Sequence, residues 1–349
     1  MKKLKVGVTG INAVDSPGPG VPILRSLRKS GRDVSLIGMS YDVLEPGNFM
    51  DSLVDSSYII PYPNSGTSLL LERIQYIHSI VGLDVIIPAL DSELTNYITI
   101  EPELKKMGIK TCLPDKKQLA LRDKSALNDT FEKSNVLLPK TYTIQDSSAI
   151  AQVAEDIGFP LFVKGIYYEA YLARTLQEAI GYFYYLAGKW GIPIILQQFI
   201  PGEELNAAIF ASEGKLISHV VMKKMFVTDK GKAWAGVTIN NKEVSESAVK
   251  IMDQLKWNSG CELEFIVENQ TGKVYLLEMN PRLPAWVYLA TEAGLNLPDL
   301  IVKAALGEEL SVNNQYDVGK IFVRHSWDEI VPMSSIEALS TKAEIKYRD

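Results

Sequence analysis

Strand-like and helix-like patterns alternate along the first third of the chain. Short β-rich runs lie at Leu4–Thr9, Val34–Gly38, Asp84–Pro88 and Ile109–Leu113. Over Ser68–Val81, apolar residues recur at helical spacing, at Leu70, Ile74, Ile77 and Val81. Because strands that alternate with helices pair in parallel through right-handed crossovers, the pattern predicts an α/β fold with an N-terminal parallel sheet.

The pattern changes after Pro114. A charged and helical stretch, Asp115–Ser134, leads into an extended stretch, Val136–Thr143. Two helix-then-strand units follow, with helices predicted at Ser148–Ile157 and Thr175–Ala187 and strands at Phe159–Gly165 and Pro193–Ile200. From there the pattern is mostly antiparallel, which indicates a second and different architecture.

The antiparallel part contains two strands, a helix and a hairpin. They are predicted at Leu205–Ala211, Leu216–Met222, Val244–Lys256 and Cys261–Asn280, with turn residues at Glu268–Gly272. Helices at Ala285–Ala293 and Pro298–Leu306 follow, then a short strand, Lys320–Val323, and a loose tail. We therefore divide the chain into domains or lobes at residues 1–114, 115–191 and 192–312, with a C-terminal strand and tail at 313–349.

Composition and charge narrow the function classes. The 349 residues are 46% hydrophobic and 22% charged, which is typical of a globular protein that buries a sizeable core. A net charge of -6 argues against a nucleic-acid partner. The N-terminus predicts a strand instead of a signal peptide, and no apolar run is long enough to span a membrane. We expect a cytoplasmic protein.

The cysteines and histidines favour no metal centre of their own. Cys112 and Cys261 lie in different halves of the chain, and the three histidines show no close pairing. Two such cysteines make neither a disulfide framework nor a zinc site. A metal site, if the chain has one, is expected to use oxygen ligands.

The loop Gly10–Gly20 follows the first predicted strand, beyond the carboxyl end of the sheet, where open α/β sheets bind ligands. It has glycines and prolines but lacks the GxGxxG spacing of a dinucleotide-binding loop. The spacing favours a turn and a proline-started helix. A dinucleotide oxidoreductase is the alternative.

The hairpin predicts a pair of facing carboxylates. If its turn is centred near Thr271, residues whose numbers sum to 542 lie opposite each other, so Glu264 faces Glu278 and Asn280 lies on the same face. Like charges directly opposite destabilise a sheet, whereas one or two Mg²⁺ ions would turn the repulsion into coordination. Glu262 lies on the same face and is an alternative ligand. The competing interpretation is a solvent-facing hairpin whose acids bind no metal.

The segment LLEMNPR, Leu276–Arg282, resembles the metal-binding end of the ATP-grasp superfamily, which includes D-alanine ligases, biotin carboxylase and carbamoyl phosphate synthetase. The family pattern is an acid or Gln, then about fourteen residues later Glu-x-Asn-x-Arg. Glu264, Glu278, Asn280 and Arg282 match it. The resemblance covers roughly residues 1–310 and implies a Rossmann-like pre-ATP-grasp domain followed by a two-lobed α+β ATP-grasp fold.

Other segments resemble the family in the family's order. FVKG places Lys164 as a lysine that binds ATP phosphates, and LRDKSALNDTFEKSNVLLP places Lys124 in a similar role. LQQFIPGEE resembles the adenine hinge and ribose clamp. The resemblance implies that the adenine meets Gln197, Gln198 and the backbone at Phe199 and Ile200, and that Glu204 accepts from the ribose hydroxyls.

The segment after Lys164 departs from the family. Many members have a glycine-rich flap there that covers the phosphates, but GIYYEAYLARTLQEA has a single glycine. Tyr167, Tyr168 and Arg174 are the candidates to cover ATP instead. Lys223 or Lys224, in a basic stretch, is a candidate to reach the γ-phosphate, and we assign Lys224 and Arg282 as the catalytic pair. The alternative for both lysines is a solvated strand edge.

The resemblance implies an ADP-forming ligase. It would use ATP with Mg²⁺, or alternatively Mn²⁺, to activate a small-molecule carboxylate as an acyl phosphate, which an amine then attacks. Pro284, Ala285, Trp286 and Tyr288 are candidates for an apolar substrate wall, with core aromatic residues as the alternative for the last two. The rival function is a regulatory protein that binds ATP without turnover. The family suggests a homodimer.

Overall fold

The computed structural model describes residues 3–14, 17–121, 124–131, 134–165, 169–228 and 233–348. The N-terminal part contains strands β1 (Leu4–Val8), β2 (Val34–Ser40), β3 (Ser56–Ile59) and β4 (Val85–Ile87) and helices α1 (Gly20–Arg28), α2 (Thr67–Val81) and α3 (Asp91–Lys106). Strand β1 pairs in parallel with β2 and β4, and β2 pairs in parallel with β3. The predicted parallel sheet is confirmed.

Two details of this sheet differ from the sequence prediction. Ile109–Leu113 is not a strand, because only Lys110 forms a bridge, to Val85. Strand β3 was not predicted from the pattern, since it is short and begins with two serines, Ser56 and Ser57. Both differences arise because short β pairings depend on the neighbouring strand more than on the segment's own residues.

The second layer is a four-stranded sheet. Its elements are α4 (Lys116–Leu121), α5 (Lys124–Phe131), β5 (Thr141–Ile144), α6 (Ala149–Ile157), β6 (Leu161–Gly165), β7 (Ala170–Ala173), α7 (Leu176–Trp190) and β8 (Ile194–Gln198). The strands pair antiparallel in the order β5-β8-β6-β7. Helices α6 and α7 bury Ile150, Val153, Phe183 and Leu186 in the core of this layer, so its other face is left to face the rest of the chain.

The third layer is a six-stranded antiparallel sheet. Its elements are β9 (Gly202–Ser212), β10 (Lys215–Val227), β11 (Ala233–Ile239), α8 (Lys242–Leu255), β12 (Ser259–Glu268), β13 (Val274–Asn280), α9 (Val287–Glu292), α10 (Leu297–Leu306) and β14 (Ile321–Val323). The strand order is β13-β12-β9-β10-β11-β14. Helix α8 covers one face, where Ile251, Met252 and Trp257 are buried. The two antiparallel sheets confirm the predicted change to a mostly antiparallel architecture after the parallel sheet.

The C-terminal residues are not a loose tail, so that prediction is wrong. Helix α11 (Met333–Lys342) leads to strand β15 (Glu344–Lys346), which pairs antiparallel with β3 at the edge of the N-terminal sheet. The hydroxyl of Tyr347 then donates to the Asn48 carbonyl at 2.9 Å. A strand this short gives no periodic signal, and the edge of β3 supplies the pairing that orders it.

The N-terminal sheet and the six-stranded sheet share one hydrophobic core. Ile23 and Leu24 of α1 belong to the same buried cluster as Phe210, Met222 and Ile301 from the third layer. The two layers are therefore held in a fixed relation to each other. Across the described residues, no helix combines the length and the apolarity that a membrane crossing needs. The division of the chain after residues 114, 191 and 312 stays a prediction.

His219 of β10 makes the stability of this core sensitive to pH. Its ring is 6% exposed, with Nδ1 at 2.7 Å from Asn314 Oδ1 and Nε2 at 2.8 Å from Ser245 Oγ. Burial lowers the pKa of His219, and the hydrogen bond with Asn314 only partly opposes this. The folded protein therefore holds the neutral imidazole. The unfolded chain binds a proton below about pH 6.5, before the folded protein does.

We expect the free energy of unfolding to fall as pH drops from about 6.5 towards the folded-state pKa of His219, by at most about 1.4 kcal/mol per pH unit for one proton. His219→Gln keeps hydrogen-bonding atoms but cannot titrate, so it should lose this part of the slope. Denaturant unfolding between about pH 5.5 and 7.5 measures both proteins. Equal slopes in the two proteins would contradict the assignment.

Candidate active site

Strands β12 and β13 bring two carboxylates face to face. Glu264 pairs with Glu278, and Glu262 pairs with Asn280, as the hairpin register predicts. On the turn side of this pair the register shifts, and Phe265 pairs with Leu276. The simple register is therefore wrong near the turn, because a β-bulge adds Leu277 to the second strand. Bulges increase the local twist and are common next to active sites.

A cavity of about 520 Å³ separates the four-stranded sheet from the six-stranded sheet. Lys164 and Gln197 line it from the first sheet, and Lys224, Glu264 and Glu278 line it from the second. Its size lies in the range of small-molecule sites. Cationic and anionic side chains thus meet in one cleft, although they are distant in the sequence.

Lys164 and Gln197 form a polar pair on neighbouring strands. Lys164 Nζ donates to Gln197 Oε1 at 2.6 Å, and Gln197 Nε2 donates to Thr141 Oγ1 at 3.1 Å. Because the amide is oriented by both contacts, the ammonium of Lys164 is held at the cavity wall. Glu204 lines the opposite wall. The roles of both residues in binding ATP stay predictions.

The predicted hinge continues past this pair. Gln198 ends β8 and accepts from the backbone N–H of Lys140 at 3.2 Å through its side-chain oxygen. The Phe199 ring lies 5.8 Å from that of Phe162, and Ile200 is buried. Gln198, Phe199 and Ile200 are not among the described residues that line the cavity. Their predicted contact with adenine would therefore depend on backbone groups at its rim.

Lys224 of β10 links two acids across the cavity floor. Its Nζ lies 3.0 Å from Glu204 Oε2 and 3.4 Å from Glu264 Oε2, and its side chain is only 11% exposed. Burial opposes the charge, but the carboxylates of Glu264 and Glu204 raise the pKa of Lys224, so it stays an ammonium. Lys223 pairs instead with Glu203 at 2.7 Å and is more exposed. The structure thus distinguishes the two lysines.

The pKa of Glu264 is raised by its burial and by the neighbouring acids of the hairpin. Burial, and then the charges of Glu262 and Glu278, raise its pKa to about 7, while Lys224 lowers it. Asn280 Nδ2 donates to Glu264 Oε1 at 3.1 Å. Opposed carboxylates beside an amide are hard oxygen donors that suit Mg²⁺, and a divalent cation would relieve the repulsion that raises this pKa. The donor set therefore fits the metal. Among the described residues, no group of three or more His, Cys, Asp or Glu is arranged to hold an ion by itself.

Glu262 is placed differently from Glu264. Its side chain is almost fully buried and accepts four hydrogen bonds. The donors are Asn206 Nδ2 at 3.0 Å, Asn280 Nδ2 at 3.2 Å, Arg282 Nη1 at 3.1 Å and Trp286 Nε1 at 2.7 Å. Arg282 also lies against a carboxylate from the N-terminal layer, with its Nε 3.3 Å from Asp91 Oδ2. Burial lowers the pKa of Arg282, but Glu262 and Asp91 raise it overall.

Several predicted residues lie outside this description or away from the cavity. Lys124 begins α5, but its side chain is not among those described, and Tyr167 and Tyr168 lie outside the described residues altogether. Arg174 is exposed after β7, where its backbone N–H donates to Glu178. Arg174 is not among the described residues that line the cavity. These positions therefore do not identify which residues would cover a bound nucleotide.

The proposed apolar substrate wall is wrong for Trp286, and for the half-buried Tyr288 it stays a prediction. Trp286 is 6% exposed and belongs to the core shared with the N-terminal layer. Its indole N–H is occupied by Glu262. Tyr288 lies on α9 with the Arg25 guanidinium 3.9 Å above its ring. Both residues pack towards α1, because the loop after Arg282 turns away from the cavity and into the interface between the layers.

Two residues near Arg282 were not singled out from the sequence. Asp91 follows β4 at the carboxyl edge of the parallel sheet, a place where ligands bind in open sheets, so position could have indicated it. Arg324 follows β14, and its Nε donates to the Ala233 carbonyl at 2.9 Å, with Nη2 3.5 Å from the Ala285 carbonyl. No sequence signal marks Arg324, because its neighbours come from distant parts of the chain.

We expect Trp286→Ala to lower the free energy of unfolding by about 3–5 kcal/mol, since it removes a buried aromatic ring. Trp286→Phe should cost less, roughly 1–3 kcal/mol, because it keeps most of the ring but leaves Glu262 without one donor. Trp234→Ala is the control, since Trp234 is 37% exposed. Denaturant unfolding measures all three. A loss for Trp286→Ala no larger than that of the control would contradict the core assignment.

A family model described as "ATP-grasp in the biosynthetic pathway with Ter operon" matches residues 192–325. The carbamoyl phosphate synthase large chain of Caldanaerobacter subterraneus subsp. tengcongensis is 26% identical over 231 residues, which are 61% of this chain and 21% of that protein. The D-alanine–D-alanine ligase of Acetivibrio thermocellus is 23% identical over 180 residues, 44% of this chain and 46% of the ligase. The chain thus spans about a fifth to a half of these relatives.

Solved structures share the fold. The biotin carboxylase domain of 2-oxoglutarate carboxylase from Hydrogenobacter thermophilus, solved with MgADP, ADP and bicarbonate, superposes with a TM-score of 0.68 at 19% identity and covers 91% of this chain and 73% of that one. N5-carboxyaminoimidazole synthetase from Staphylococcus aureus gives a TM-score of 0.64 at 14% identity, over 90% of this chain and 80% of that one. The family model thus finds an ATP-grasp segment at residues 192–325, the sequence relatives resemble part of the chain, and the solved structures show that the fold is shared.

Proposed function

We propose that this protein is an ATP- and Mg²⁺-dependent carboxylate–amine ligase that forms an acyl phosphate and then an amide, with ADP as a product. The observation that supports this most is the cleft in which Lys164 and Lys224 face the opposed carboxylates Glu264 and Glu278. A polyphosphate needs both cationic side chains and a divalent cation, and the cleft supplies donors for both. The relatives named above are enzymes of this broad class.

The reaction would proceed in two steps. An oxygen of the substrate carboxylate attacks the γ-phosphorus of ATP, the bond to the β,γ-bridging oxygen breaks, and ADP leaves. The amine nitrogen then attacks the acyl carbon, the bond between that carbon and the phosphate oxygen breaks, inorganic phosphate leaves with the oxygen and the electron pair, and the nitrogen loses a proton. Bound Mg²⁺ or Mn²⁺ would offset negative charge on the phosphate oxygens.

The chain's own residues have separate parts in this proposal. Glu264, Glu278 and Asn280 would hold the metal, while Lys164 and Lys124 would bind phosphate oxygens. Lys224 would move from Glu264 and Glu204 towards the γ-phosphate once a cation offsets the acids, since its ammonium is at present held by both. Arg282 would stabilise charge on the transferring group, as positioning and electrostatics dominate such steps.

The nucleotide's other groups would bind at the rim. The adenine would lie near Gln197 and Gln198 and the backbone at Phe199 and Ile200, with the ribose hydroxyls donating to Glu204. The Glu204 side chain is 52% exposed, so its carboxylate is accessible from the cleft. The acid and amine substrates are small molecules of unassigned identity, and a homodimer stays a prediction.

A regulatory protein that binds ATP without turnover is the second candidate. The glycine-poor segment after Lys164 favours it, because a glycine-rich flap is the usual cover for the phosphates. The test is ADP release from MgATP in the presence of pools of carboxylic acids and amines. Release that depends on an added acid supports the ligase. Tight ATP binding without release in every pool supports the regulatory protein.

We expect Glu278→Gln and Glu264→Gln each to weaken Mn²⁺ binding in the presence of ADP by about tenfold or more, because each removes a charged oxygen ligand. Glu264→Gln should be the milder of the two for ADP formation, as relatives carry Gln at that place. Electron paramagnetic resonance of free Mn²⁺ measures the affinity. Glu268→Gln on the same hairpin is the control. Unchanged affinity in both site variants would refute the metal assignment.

Lys164→Ala should weaken ATP binding or transfer by about 1.5–3 kcal/mol, roughly tenfold to a hundredfold, since a charge-assisted contact to phosphate is lost. Isothermal titration with MgATP or a non-hydrolysable analogue measures this. Lys140→Ala is the matched control, because Lys140 is exposed and pairs with Asp156 outside the cavity lining. Equal affinity in the two variants would remove Lys164 from the phosphate site.

A further inference from the structure

Glu262 has its acceptor positions filled by protein donors. A carboxylate offers about four lone-pair sites, and Glu262 receives four hydrogen bonds, from Asn206 and Trp286 at Oε1 and from Asn280 and Arg282 at Oε2. A cation could bind Glu262 only by breaking one of them inside the protein, where an unpaired donor is costly. Glu262 therefore has a different task from Glu264, its neighbour on the same strand face.

Glu262 forms an ion pair with Arg282, which also contacts Asp91. The Arg282 guanidinium meets Glu262 through Nη1 at 3.1 Å and Asp91 through Nε at 3.3 Å. The two carboxylates come from different layers, since Glu262 lies on β12 and Asp91 begins α3 beside the parallel sheet. The ion pair with Glu262 is also a hydrogen bond, and the contact with Asp91 is an ion pair. Together they restrain the plane of the guanidinium and the direction of its third nitrogen, Nη2.

Glu262 is itself held in place. Trp286 is buried and its N–H lies 2.7 Å from Oε1, while the Asn206 amide, also buried, donates to the same oxygen at 3.0 Å. Neither donor belongs to the Glu-x-Asn-x-Arg segment. Asp91 keeps one oxygen, Oδ1, that is buried and lacks a hydrogen-bond partner. Its other oxygen, Oδ2, lies 3.3 Å from Arg282 Nε.

We propose that Glu262 and Asp91 are positioning residues that fix the Arg282 guanidinium from two sides and present Nη2 to the group being transferred. The proposal rests on the ligase function proposed above. Arg282 is not among the described residues that line the cavity, so Nη2 would act from its edge, and through Asp91 the N-terminal layer would set its direction. The two carboxylates also offset the charge of Arg282. Arg282 would therefore act through the orientation of its N–H groups more than through long-range attraction of an anionic substrate. A small displacement of such a group lowers the reaction rate.

The first test needs no turnover. Arginine side-chain NMR observes the Nε–H of Arg282, which Arg282→Lys assigns by loss of its signal. We expect a single signal from one guanidinium orientation in the unmodified protein, and a signal at a different chemical shift in Asp91→Asn and in Glu262→Gln. Glu72→Gln, which makes the same charge change at an exposed position of α2, should leave the signal unchanged. A signal unaffected by both site variants overturns the proposal.

The second test separates Glu262 from the metal ligands. In the Mn²⁺ titration with ADP, Glu262→Gln should stay within about threefold of the unmodified protein, whereas a lost ligand costs about tenfold or more. Weakening of Mn²⁺ binding as large as that in Glu264→Gln would make Glu262 a ligand and overturn its positioning role. Thermal unfolding of each variant shows that it is folded at the assay temperature.

The third test uses ADP release with the acid and amine pools. We expect Asp91→Asn to lower kcat about tenfold while KM for ATP stays within about threefold, because positioning affects transfer more than nucleotide binding. In a protein that already carries Arg282→Lys, adding Asp91→Asn should lower kcat by less than about twofold relative to Arg282→Lys alone. An equal loss in both backgrounds would show that Asp91 acts independently of Arg282. If the unmodified protein releases no ADP with any pool, the ligase proposal fails. The NMR test still shows whether Glu262 and Asp91 position Arg282.

Discussion

Glu264 and Glu278 repel each other across an antiparallel strand pair, and the rest of the site is arranged around that repulsion. The backbone cannot relieve it, since β12 is paired on both sides, with β9 and β13. Lys224 and the Asn280 amide offset part of it, yet the pKa of Glu264 is still raised to about 7. A divalent cation bound by the two cross-strand carboxylates would offset the charge that remains.

This constraint explains why two layers are needed. The six-stranded sheet concentrates acids at the cavity floor, and the four-stranded sheet brings Lys164, oriented by Gln197, to the opposite wall. Two lysines of the six-stranded sheet pair with acids of that sheet, Lys223 with Glu203 and Lys224 with Glu204 and Glu264. Lys164, on the other sheet, contacts the neutral amide of Gln197. Separation by a cavity keeps both signs of charge available to one ligand.

The N-terminal layer is more than a preceding module. It shares a core with the six-stranded sheet, and strand β15 returns from the far end of the chain to its edge. Within this layer, Arg28 at the end of α1 pairs with the buried Asp55 at 2.8 Å. Because the layers pack as one core, Asp91 reaches Arg282 in a defined place. Packing between the layers therefore determines which carboxylate of the N-terminal layer meets Arg282.

The sequence determined the elements whose patterns are local. Alternation of strands and helices gave the parallel sheet, and the even spacing of Glu264, Glu278 and Asn280 about a turn gave the facing acids, because side chains in a hairpin alternate regularly. The bulge at Leu277, strand β3 and strand β15 could not be predicted this way. Each depends on a partner strand more than on its own residues.

The tertiary structure alone decided which polar groups meet. Glu262 and Glu264 are the same residue type on the same strand face, two positions apart. Glu262 accepts hydrogen bonds from Asn206, Trp286, Asn280 and Arg282, whereas Glu264 lines the cavity. Trp286 was indistinguishable from a substrate contact until its burial was known. Those differences depend on contacts between residues tens to hundreds of positions apart, and periodicity along one chain carries no information about such contacts.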